Sequence, residues 1–217
     1  MKKIYLFLIL VMLLSLTACD DSDDGGSSST DKSKYVWVLV DTEDYEREEY
    51  YEDTEGHEFI HSFNYEHGSY EVKKVYDGET RINADEEYIH GETYKARCDF
   101  NIPPEKFAPG EQITLDINFR ETENTLVGWS GLASFWAAIT TEDVIFTGTS
   151  SEDIKFKDDT GDYGHLLNTS EGISSINTKL TAEAPKGKKG DRIVIRTQIV
   201  LDAASIGTRY IYELQKP

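Results

Sequence analysis

An all-β fold, a single antiparallel two-sheet β-sandwich of jelly-roll or immunoglobulin-like kind, is what the sequence predicts, on three observations. Apolar residues recur with period two, as in Ile113, Leu115, Ile117 and Phe119 against Thr114, Asp116 and Asn118. Four of the five prolines, at 103, 104, 109 and 185, fall between such runs, where a missing N–H costs no ladder bond. No window longer than about ten residues carries a helical period.

The strands follow in order along the chain. Residues 35–41, 57–66 and 69–77 are apolar or alternating runs, and Tyr94, Ala96, Cys98 and Phe100 make one apolar face. After 113–119 come 132–140 and 144–148. Ile193, Ile195, Ile199 and Leu201 then share a parity opposite Arg192, Arg196 and Gln198, and Thr208, Tyr210, Tyr212 and Leu214 oppose Arg209 and Glu213. Pro109-Gly110 and residues 186–191 read as turns. Residues 42–56, rich in acids and tyrosine, stay open between an exposed edge strand and a loop with one helical turn. Periodicity does not supply the strand order.

Composition excludes one class of partner. The formal net charge is −19 and the pI about 4.6, whereas nucleic-acid binding needs a basic stripe. The one basic cluster, Lys186, Lys188, Lys189 and Arg192, lies in a Gly-rich turn and reads as a solvated loop.

The N-terminus carries an address. Lys2 and Lys3 precede the uncharged run Ile4–Leu16, too short as a helix for a ~30 Å hydrocarbon core but suited to a signal-peptide apolar region. Leu16-Thr17-Ala18-Cys19 resembles the lipobox of bacterial membrane lipoproteins, with apolar run, small residues, cysteine and polar tract in that order. The resemblance implies cleavage after Ala18, thioether lipidation of Cys19 and acylation of the new amine. The expected organisation is therefore a signal peptide at 1–18, a lipidated Cys19 with a flexible acidic Gly/Ser tether at 19–33, and the β-sandwich at 34–217. The expected location is the extracytoplasmic face of a cell membrane, with the membrane a partner through the lipid, since two or more acyl chains hold durably. Residues 20–33 contain no apolar side chain to offset their ordering entropy. Asp20, Asp24, Gly25 and Asp31 echo a calcium loop, but no flanking helices are expected. Lipidation of Cys19 leaves Cys98 unpaired, as a small buried hydrophobe.

One motif points elsewhere. His57-Glu58-Phe59-Ile60-His61 fits HExxH, and His67 falls where metzincin proteases carry a third histidine. Resemblance to that family would make His57, His61 and His67 zinc ligands and Glu58 the general base. That chemistry needs a helix, where residues i and i+4 share a face. Yet His57, Phe59, His61, Phe63, Tyr65 and His67 alternate with Glu58, Ile60, Ser62, Asn64 and Glu66 as in a strand. On a strand His57 and His61 stand about 13 Å apart. Asn64 replaces the family's glycine, no methionine follows Met12, and residues 53–56 read as a turn. The strand reading is preferred, and the backbone of residues 54–68 separates the two.

Residues 157–164 (KDDTGDYG), with Asp158 and Asp162, are open between a calcium-gripping loop and an ordinary acidic turn. Gly128-Trp129-Ser130-Gly131 lacks nucleophile-elbow spacing. Trp129 and Trp136 suit either a ligand surface or the core. The functional expectation is a lipid-anchored, non-catalytic binding or adhesion module for a surface glycan, peptide or protein, with no cofactor, metal or catalytic residue. A structural cell-envelope lipoprotein without small ligand, and less favoured a zinc peptidase over residues 57–67, are the alternatives.

Overall fold

In a computed structural model, residues 35–47, 51–52, 58–66, 68–82, 87–126, 133–141, 151–202 and 204–217 are described. Among them there is no α-helix, and one 3₁₀ turn spans Thr169–Glu171. The strands are β1 (Val36–Arg47), β2 (Tyr51–Glu52), β3 (Glu58–Glu66), β4 (Ser69–Tyr76), β5 (Arg81–Ile82), β6 (Glu87–Tyr88), β7 (Thr93–Phe100) and β8 (Lys106–Phe107). There follow β9 (Gln112–Asn124), β10 (Ala133–Thr140), β11 (Ile154–Lys155), β12 (Gly164–Leu166), β13 (Ser175–Glu183), β14 (Arg192–Leu201) and β15 (Ala204–Gln215).

Two antiparallel sheets result, as the alternation predicts. One runs β11-β10-β14-β15-β1-β8, with β12 also beside β10, and the other runs β13-β9-β7-β4-β3-β2. The short pair β5-β6 stands apart. Side chains of one parity from both sheets fill a single core that includes Trp37, Tyr70, Phe119, Phe135, Ile195 and Tyr212. Period two is cleanest in β4, where Tyr70, Val72, Lys74 and Tyr76 are buried and the residues between them half-buried.

The boundaries follow local chemistry. The turn between β3 and β4 places Gly68 at a φ of +83°, and a Cβ there would press on the Phe100 carbonyl at 2.8 Å, so glycine is required. The first part of the ambiguous segment 42–56 resolves as strand. β1 runs on to Arg47, pairs with β15 throughout and shifts register between Leu39 and Asp41, the signature of a bulge. Its acids are matched there: Thr208 Oγ1 donates to Asp44 at 2.5 Å and Arg209 to Glu43 at 2.6 Å. Residues 48–50 and 53–56, and the expected strand 144–148, lie outside the described residues.

The central strands of the seven-stranded sheet, β10, β14 and β15, are buried on both faces. Their core parity carries Ile193, Ile195, Ile199, Ile206 and Tyr210, while Val194, Arg196, Gln198, Ser205 and Ile211 on the opposite parity are buried too. Gly207 belongs to that second face, with Tyr45 laid over it and donating to Gln198 Oε1 at 2.8 Å. A Cβ on Gly207 would run into the Thr197 carbonyl and the Tyr45 ring. Gly207→Ala is therefore expected to destabilise the domain by about 1–3 kcal/mol through overpacking, read as a lower urea midpoint with unchanged m-value. A midpoint equal to wild type would show that Tyr45 does not hold this place.

Candidate functional site

Two groups of polar side chains rise above ordinary surface, one on each side of the six-stranded sheet. The first is its solvent face. Antiparallel register aligns Ser69 with Asp99, Asp99 with Asn118, and Asn118 with Asn177, so one row of polar side chains crosses β4, β7, β9 and β13. The row is internally bonded. Asp99 accepts from Ser69 Oγ at 2.6 Å, Arg97 Nε at 2.9 Å and Arg120 at 2.8 Å. Arg120 also donates to Asn118, which donates to Asn177 at 2.6 Å. Lys179 pairs with Asp116 at 3.0 Å beside it. Over the Asp99, Asn118 and Asn177 part of this row lies an open depression of about 510 Å³, whose walls include the apolar Phe100 and Ile117 beside Asp116 and Lys179. A smaller one of about 180 Å³, lined by Asn64, Glu66, Ser69, Glu71 and Arg97, lies on β3, β4 and β7. Side chains fixed by neighbours lose little entropy when they meet a ligand.

The second group faces inward. His61 on β3 pairs directly with Lys74 on β4, and Lys74 with Tyr94 on β7. All three are buried. Across the sandwich, Leu201 of β14 pairs with Ala204 of β15, and Asp202, directly after Leu201, adopts a φ of +53°. Aspartate tolerates that region better than most residues. Its carboxylate receives Lys74 Nζ at 2.5 Å, with His61 Nε2 3.5 Å from the same oxygen. Lys74 Nζ also sits 3.9 Å from the Phe59 ring centre. Burial pushes the Asp202 carboxyl up, but His61 and Lys74 outweigh it and hold it below the usual carboxylate range.

The residues singled out by sequence fall variously. Cys19 and the tether, His57, His67, Trp129 and Ser130 lie outside the described residues. Residues Glu58–Glu66 form a strand, so the helical face that HExxH chemistry needs is not formed there. His61 serves the inter-sheet cluster instead. Among the described residues no group of three His, Cys, Asp or Glu side chains is placed to hold a metal. Asp158 is consumed locally, accepting from Thr160 N, Thr160 Oγ1 and Asp162 N at 2.7–3.0 Å, as in an Asx turn. Trp136 is buried outside the inter-sheet core, stacked 5.2 Å from the Arg196 guanidinium, and offers no open ring. Cys98 is fully buried, and burial pushes its thiol well above its ordinary value.

Lys74, Asp202 and the cross-strand row were missed by the sequence reading. A signal existed for Lys74, a lysine on the core parity between Val72 and Tyr76. None existed for the row, because alignment of Ser69, Asp99, Asn118 and Asn177 needs the register. No family model, curated protein or solved structure matches the chain.

Asp99 generates a pH dependence. Burial pushes its carboxyl up, but bonds from Ser69, Arg120 and Arg97 outweigh this and hold it below the usual range. A depressed folded-state value gives stability that is present above the unfolded value near pH 4 and lost as pH falls through the folded one. The stability gap between wild type and Asp99→Asn, from urea unfolding, is expected to be full at about pH 6 and to shrink by about pH 3. A gap constant over that range would show that the bonds do not favour the carboxylate.

Proposed function

We propose that this protein is a non-catalytic binding module held at the extracytoplasmic face of a membrane by lipid on Cys19, with the solvent face of the six-stranded sheet as its recognition surface. The observation that carries the reading is the row Ser69, Asp99, Asn118 and Asn177, half-buried at its first two members and exposed at its last two, linked by hydrogen bonds through Arg120, with the open depression over its Asp99 to Asn177 end. Hydroxyl, carboxylate and carboxamide groups in the row, with the Arg97 and Arg120 guanidinium groups beside it, offer both donors and acceptors. Four strands at about 4.8 Å spacing make the row roughly 15 Å long. Such a surface suits an extended, hydroxyl-rich chain, and a cell-surface glycan is the favoured ligand. The second reading, a structural envelope lipoprotein, is favoured by the internal satisfaction of the same groups, which need no ligand to be stable.

Two measurements test the proposal. The full-length lipidated chain in detergent, titrated against neutral and acidic polysaccharides, is expected to bind at least one. Asn118→Ala with Asn177→Ala is expected to weaken that binding about tenfold or more, because two ligand bonds of about 1 kcal/mol each are lost. Absence of binding across the panel would favour the structural reading. For the anchor, Cys19→Ser is expected to move the chain from the detergent phase to the aqueous phase, and unchanged partitioning would overturn lipidation at this residue.

A further inference from the structure

Among the described residues Lys74 is the one buried lysine, 1% exposed, and its ammonium nitrogen lies 2.5 Å from a carboxylate oxygen of Asp202. Its surroundings are of an unusual kind. The lysines of the surface pairs, Lys95 with Glu123 and Lys179 with Asp116, keep 30% and 73% of their side chains in water. They remain hydrated ions. Lys74 instead has the Phe59 ring against its nitrogen and His61 and Tyr94 on either side. Removing an ammonium and a carboxylate from water costs several kcal/mol per ion, and that cost falls when one proton moves and both become neutral. The resting ion pair, in which Asp202 is held as carboxylate, is thus one proton transfer over 2.5 Å from a free amine against a carboxylic acid.

We propose that Lys74 and Asp202 are a modification site, at which the two side chains condense into an amide that joins the two sheets covalently. The deprotonated Nζ attacks Cγ of Asp202, forming the N–C bond and a tetrahedral centre. The amine proton passes to one carboxyl oxygen, that C–O bond breaks, and the oxygen leaves as water. Ammonium plus carboxylate becomes amide plus water, with no redox change and no co-reactant. His61 Nε2, 3.5 Å from Asp202 Oδ2, is placed to carry the proton between nitrogen and departing oxygen. The Asp202 side chain, 18% exposed at its hairpin tip, gives the water a way out.

Proximity supplies the driving term. Both groups are held by strands, Lys74 within β4 and Asp202 directly after Leu201, whose pairing with Ala204 ends the β14–β15 ladder. Intramolecular pairs held in this way react at effective concentrations far above any attainable in solution. Once its proton has passed to Asp202, the buried amine has no water shell to shed before it attacks.

The test is a tryptic digest of the full-length protein under denaturing conditions, read by mass spectrometry. The expected product is residues 74–81 joined to residues 197–209, at their summed mass less one water, with Lys74 no longer cleaved. Residues 75–81 and 197–209 recovered as two free peptides in full yield would overturn the proposal, and the wild-type chain alone decides it. Lys74→Arg keeps the positive charge but is expected to show complete loss of the joined species. His61→Gln keeps a hydrogen-bonding side chain, and the joined species is expected to form about 10²-fold more slowly in it. Formation at the wild-type rate would remove His61 from the step.

Discussion

The structure depends on matching the polar atoms that the inner faces of two sheets are obliged to hold. Apolar packing alone specifies the register of the sheets less sharply, since cores accept many hydrophobic arrangements of equal volume and lose uniqueness before stability. A buried hydroxyl or charge is less permissive, because leaving it unpaired costs more than a packed pair returns. Tyr70 of β4 donates to Thr208 of β15 at 2.5 Å, Thr208 donates onward to Asp44 of β1, and Thr197 of β14 meets the same tyrosine at 2.9 Å. Burial pushes the Tyr70 phenol up, so it stays a neutral donor. With Lys74 and Asp202 this gives two polar ties of fixed geometry between the sheets, and the apolar core is registered around them.

The same accounting explains what was legible in the sequence. Fold class was written in the alternation, and β4, β9, β14 and β15 appear close to where their parity puts them. The strand over Glu58–Glu66 was readable against a metal-binding motif, because Phe59, His61 and Phe63 keep one parity while a helix would have scattered them. Strand order was not readable. Nothing local says that β1 pairs with β15, the last strand, or that β13 lies beside β9. The polar ties were half readable, as polar residues at core parity: Lys74 among Val72 and Tyr76, and Thr197 between Ile195 and Ile199. Their partners lie in another sheet, and sequence separation hides them.

The two outward faces divide the work. In the middle of the seven-stranded sheet the outward parity is buried, with Tyr45 over Gly207 and Trp136 against Arg196. On the six-stranded sheet the outward parity is polar and half-buried to exposed, and Asp99 gathers Ser69, Arg97 and Arg120. At a net charge of −19, the bonds from Arg97 and Arg120 to Asp99 offset part of the self-repulsion among the acids.

The place where the chain enters has a mechanical consequence. Val36 opens β1 in the seven-stranded sheet, while the polar row lies on the far face of the other sheet. A pull between that row and the chain ahead of Val36 cannot run along a single ladder of backbone bonds. It has to cross the gap between the sheets, through interdigitated apolar side chains and the few polar ties among them. The Tyr70 and Lys74 ties then become the elements that bear shear, and the tension at which the sandwich comes apart is set by a handful of side chains.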